Sequence, residues 1–87
     1  MTNVMDGFRI VVLDNGFIYV GNLSIHDGIV TIADAKNIRQ WGTSQGLGEL
    51  ALKGPTKNTI LDEVGVVMAP YRSLLHVLAV QKTEKWK

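Results

Sequence analysis

Two dipeptides, Asn15-Gly16 and Asp27-Gly28, divide the first part of the chain into short β-branched runs. Both pairs favour the positive φ angles of a tight hairpin turn. The runs they separate are FRIVVLD, FIYVGNLSIH and IVTIADA. Three extended segments joined by tight turns read as an antiparallel meander. In the second run Phe17, Tyr19, Leu23 and Ile25 share one face, and Asn22, Ser24 and His26 share the other, so its far end reads as half solvated.

The next stretch, QWGTSQGLGELALKG, has a different pattern. KNIRQW reads as an extended lead into Trp41, and Gly42-Thr43-Ser44 then breaks the strand and caps a helix. Leu47, Leu50 and Ala51 fall at helical spacing, Lys53 suits a last turn, and Gly54-Pro55 stops the element. The spacing predicts a short helix over 44–53. Gly46 and Gly48 each cost it about 0.5–1 kcal/mol relative to alanine, so packing must hold it. TILDEVGVVMAP reads as a later strand with Val64, Val66 and Met68 on one face. YRSLLHVLAV, over 71–80, has the length of a last helix that is apolar nearly all round; a buried strand is the competing reading, because Val77 and Val80 are β-branched. His76, inside this run, is expected to be packed in a core or an interface. The tail QKTEKWK reads as solvated. The expected fold is a single α+β domain over 1–87, a small antiparallel sheet (N-terminal meander plus a later strand) with two short helices.

A chain of 87 residues without cysteine has no disulfide to reinforce a small core. Apolar segments with little polar face then point to self-association as a further source of stability. No basic segment precedes a long apolar run at the start, and no apolar run approaches the roughly 20 residues of a membrane helix. The expectation is a cytoplasmic protein without membrane contact.

Several chemistries lack their residues. His26 and His76 fall in different elements without a metal-ligand partner at i+4, and no thiolate is present, so neither metal nor cofactor is expected. Asp62-Glu63 are adjacent and project differently. Neither a phosphate loop ending in Lys-Ser/Thr nor a serine elbow occurs. No catalytic residue is expected. Net charge is +1, which disfavours a nucleic-acid polymer as ligand. The basic residues nevertheless concentrate from Lys36 onward, so an anionic ligand is expected there.

A helix start rich in glycine and hydroxyls offers N–H groups to an anion. Trp41 can stack on a base, and Arg39, on the same side of an extended segment, can pair with phosphate. Trp41 packed against the sheet is the plainer alternative. Tyr71-Arg72-Ser73 repeats the aromatic, guanidinium and hydroxyl combination. The expected ligand-binding set is Arg39, Trp41, Gly42, Thr43, Ser44, Gln45, Tyr71 and Arg72.

The run DAKNIRQWGTSQGLGELALKG resembles a family of small phage-encoded proteins through Ala35, Ile38, Trp41, the small residues 42–46, Leu47, Leu50, Ala51 and Gly54. Arg39 and Gln40 stand where aromatic residues are common in that pattern, and Asp34 stands in place of Asn. The overall design also resembles the phage anti-CBASS sponges. That resemblance implies a homo-oligomer, a tetramer being the expected form. It also implies that the protein sequesters a cyclic dinucleotide such as 3′3′-cGAMP in the host bacterial cytoplasm without cleaving it, which denies the signal to the host's effector. The alternative is a small interaction module that binds and inhibits a host protein.

Overall fold

The computed structural model describes residues 5–86; Lys87 and the first four residues of the opening segment lie outside this range. Strands β1 (Gly7–Leu13), β2 (Ile18–His26) and β3 (Ile29–Gln40) form the expected meander. The second hairpin turn is a two-residue one, with His26 paired to Ile29 and positive φ at both Asp27 and Gly28. The first is one residue longer: Asp14–Gly16 make a single 3-10 turn, closed by the Leu13 N–H donating to the Phe17 carbonyl at 2.8 Å. The segment KNIRQ is the second half of β3, not a separate lead.

Helix α1 (Leu47–Lys53) is shorter than the expected 44–53. Residues 44–46 stay outside it because Gly46, at φ 82°, precedes the first helical turn with a backbone no helix continues. Strand β4 (Ile60–Pro70) follows, then a 3-10 turn over Tyr71–Ser73, strand β5 (Leu74–Ala79) and a final 3-10 turn over Thr83–Trp86. The expected last helix over 71–80 is therefore a turn and a strand, and the sheet gains two later strands instead of one. The exposure pattern explains it. Leu75, His76 and Ala79 face solvent while Leu74, Val77 and Leu78 are partly buried, so the run is not apolar on every side. The outer edge of β1 also supplies backbone partners, from Arg9–Ala79 to Leu13–Leu74. His76 is exposed in the chain and is not a core residue.

All pairings are antiparallel, in the order β4-β3-β2-β1-β5. β4 and β5 are thus the two outermost strands, yet three residues join them. A flat sheet does not permit so short a link across its width. The sheet curls into an open barrel whose edges converge at Tyr71–Ser73. The Tyr71 N–H donates to the Gly28 carbonyl at 2.8 Å and fastens this corner to the β2–β3 turn. Two of the sheet's register irregularities contribute to the bend. One lies between Val20 and Asn22, where a Cβ on Gly21 would come within 2.8 Å of Ile32 and 2.9 Å of the Ala33 carbonyl, so only glycine fits. The other lies on β3 between Ile32 and Ala35, where Asp34 takes φ 50°.

The core has two parts because Ile10 to Leu13 of β1 are buried in succession, which requires cover on both faces. Val11, Leu13, Leu23, Val30, Ile32 and Ala35 form one cluster. Ile10, Val20 and Ile38 form the other with Leu50 and Ala51 of α1 and with Trp86. Trp86, read from the sequence as part of a solvated tail, is 4% exposed and lies against Phe8, ring centroids 6.3 Å apart. The Gln81 N–H donates to the Ala51 carbonyl at 2.8 Å, and Lys85 packs so closely on Gly54 that a Cβ there would meet it at 2.6 Å. The last segment therefore clasps α1 onto the sheet. Trp86→Ala is expected to destabilise the domain by about 3–5 kcal/mol, read as a lower urea midpoint by far-UV circular dichroism.

Candidate functional site

The expected ligand residues fall into two groups, and one chain does not bring them together. The first stands where β3 ends and the connection to α1 begins. Trp41 is 40% exposed, and Gly46 approaches its ring at 3.9 Å from the position a Cβ would take. The backbone here is tied to the loop before β4. The Thr59 hydroxyl donates to the Trp41 carbonyl at 2.7 Å, the Thr56 hydroxyl to the Gly42 carbonyl at 2.8 Å, and the Gln40 side-chain amide to the Asn58 carbonyl at 2.9 Å. Gly42 lies against the Asn58–Thr59 backbone, where a Cβ would come within 2.3 Å of the Asn58 carbonyl carbon. Its lack of a side chain serves this packing.

The polar groups of the loop are engaged within the chain. The Thr43 hydroxyl donates to the Gly46 carbonyl at 2.8 Å. The Glu49 carboxylate accepts from the Ser44 hydroxyl at 3.3 Å and from the Gln45 N–H at 3.1 Å. Glu49 thus reaches back to the helix start in the manner of a capping box, and this carboxylate stands where the sequence suggested an anion. A seven-residue helix adds little dipole to attract another. Arg39 is also engaged: its Nε donates to Asp62 at 2.7 Å and its Nη2 to the other carboxylate oxygen at 3.4 Å. Both side chains are largely exposed, so the pair contributes at most about 1 kcal/mol and can be exchanged for another anion. Trp41 and Arg39 remain the accessible recognition groups of this corner.

The second group, Tyr71 and Arg72, is exposed at the 3-10 corner. It lies at the opposite end of the β3–β4 ribbon, since Gln40 pairs with Ile60 while Ile29 pairs with Pro70. β3 has 12 residues, so at about 3.3 Å per residue the two groups stand roughly 35 Å apart along the strand.

A third place was not legible in the sequence. Phe8, Val20, Asn22, Asp34, Lys36, Thr83 and Trp86 line a cleft of about 490 Å³ beside the β3 bulge. Asp34, Ala35 and Lys36 also line a second groove, of about 410 Å³, with Glu63 and Gly65. The only hint of the first was an Asp in the middle of a strand, a residue disfavoured there unless it serves an irregularity. Its aromatic wall comes from residues distant in sequence.

The chain matches no protein-family model and no curated protein sequence. Among the described residues no helix is long and apolar enough to cross a membrane, and no three His, Cys, Asp or Glu side chains gather as a metal site would need.

The hydroxyl ties hold Trp41 at the surface. Thr59→Val is expected to lower stability by about 1–2 kcal/mol and to increase quenching of tryptophan fluorescence by acrylamide, as the Trp41 backbone is released.

Proposed function

We propose that the protein binds a cyclic dinucleotide and sequesters it intact, at sites that two copies of the chain complete. The observation that carries this reading is the placement of both aromatic–arginine pairs at opposite ends of the ribbon whose outer strand is the free sheet edge β4. Antiparallel pairing of two β4 strands joins opposite ends. About a two-fold axis near Gly65, the middle of Ile60–Pro70, Arg39 and Trp41 come beside Tyr71 and Arg72 of the partner subunit, and the arrangement occurs twice.

The edge suits such pairing. Among the described residues no strand lies beside its outward groups, and Val64, Val66 and Met68 are exposed, Val66 at 61% and Met68 at 70%. A free, apolar edge strand is a template for another strand. Pairing with a second copy is isologous and closed, so it ends at a dimer instead of a fibre. Two such dimers make the tetramer that the resemblance to the phage sponges implies. At each shared site Trp41 and Tyr71 of the partner subunit stack on bases. Arg39, released from Asp62, and Arg72 of the partner subunit hold phosphates. The proposed outcome is sequestration of a signal such as 3′3′-cGAMP in a phage-infected host rather than hydrolysis.

Isothermal titration with 3′3′-cGAMP, cyclic di-AMP and cyclic di-GMP, with light scattering on the same samples, tests the reading. A multimer that binds one of them and releases it unaltered on denaturation is the expected result. A multimer silent to all three overturns the assignment, and recovery of linearised nucleotide overturns sequestration. The same free edge also suits a strand from a host protein; a monomer in solution that binds no nucleotide favours that second reading. Trp41→Ala is expected to weaken binding by about 1–3 kcal/mol. Val66→Lys is expected to shift the scattering mass toward monomer and lower affinity in step. Asp62→Ala is expected to tighten binding several-fold, because Arg39 then has no competing carboxylate.

A further inference from the structure

We propose that the cleft between the β3 bulge and the C-terminal turn binds a guanine-type base, independently of the β4 edge. Three observations converge on it. First, Trp86 is almost wholly buried, and its indole Nε1 is the sole buried side-chain nitrogen or oxygen among the described residues that has no hydrogen-bond partner. Leaving a buried donor unpaired is unfavourable, and this donor belongs to a ring that walls the cleft. Second, Asp34 holds φ 50° at the bulge, a conformation uncommon for a residue with a side chain. Backbone held in such a region gathers at binding sites. Third, Asp34 and Lys36 line the same cleft, about 490 Å³ in volume, within the range of small-molecule sites.

The chemistry of the lining selects the ligand. One carboxylate and one ammonium cancel, so the cleft does not favour a net anion. Phe8, partly buried and inclined at 58° to the buried Trp86 ring, offers apolar ring surface to a flat heterocycle. A guanine edge presents two adjacent N–H donors and a carbonyl. The Asp34 carboxylate accepts from both N–H groups. The carbonyl accepts from Lys36. Lys36 donates one hydrogen to the Trp86 carbonyl at 3.3 Å and has further hydrogens to give. Adenine offers a donor beside an acceptor nitrogen, which leaves the carboxylate facing a lone pair.

The test is an NMR titration of 15N-labelled protein carrying Trp41→Leu, so that the remaining indole resonance is that of Trp86 and the proposed edge site lacks its stacking ring. Guanosine is the probe and adenosine the control. The Trp86 Nε1–H resonance is expected to move saturably with guanosine, and adenosine to act at least ten-fold more weakly. In the same background Asp34→Asn, which tolerates the left-handed backbone, and Lys36→Met are each expected to weaken guanosine binding ten-fold or more while the amide spectrum stays dispersed. An indole resonance unmoved by guanosine up to its solubility limit overturns the proposal. So does an equal response to adenosine, or full affinity in a folded Asp34→Asn variant. Because Trp41 is absent throughout, failure here leaves nucleotide binding at the β4 edge untouched, and failure there leaves this site untouched.

Discussion

The three-residue link between the outermost strands is the constraint on which the rest of the structure depends. Tyr71–Ser73 must carry the chain from β4 to β5, and that short span is compatible only with a sheet that curls on itself. Curling demands bends at defined places, and two of the irregularities here use different residues. Gly21 lets neighbouring backbone approach where a side chain would collide. Asp34 takes a left-handed backbone while keeping a carboxylate. The barrel interior then fills with Val11, Leu13, Val30 and Ile32, while Ile10 and Val20 need cover from α1 and Trp86.

The same curl explains where recognition groups can gather. A bulge sets side chains out of the regular alternation, and here it places Asp34 and Lys36 beside the aromatic pair from the two ends of the described chain. The corner after β3 is of another kind. Its hydroxyls and its glycine are occupied in holding one loop to another, which leaves Trp41 presented on a rigid base and Arg39 in an exchangeable pair with Asp62.

Much of the fold was legible because local signals were strong. Asn15-Gly16 and Asp27-Gly28 fixed the meander, Gly54-Pro55 ended α1 at Lys53, and TILDEVGVVMAP holds the later strand β4. What failed depended on distant partners. Leu74 to Ala79 become a strand because β1 has an edge to offer, a fact about residues 9–13 that the run itself does not contain. Trp86 is buried because α1 and Phe8 leave room for it, although its neighbours Lys85 and Lys87 suggest solvent. The two ligand groups were recognised by their similar composition. The register of β3 against β4 sets them at opposite ends of a ribbon, and composition carries no information about that distance.

The pairing of β1 with β5 has a consequence in time. Arg9 and Ala79 are partners, so β1 leaves the ribosome well before β5 and waits for the three intervening strands and α1 before its second edge is covered. Such non-local closure slows folding. Until it is complete, the nascent meander exposes the edge of β1 along a run of four consecutive apolar residues, Ile10 to Leu13. The charged neighbours Arg9 and Asp14 flank that run and act as guards against premature pairing with another chain. The edge of β1 is therefore most vulnerable during synthesis, before β5 covers it.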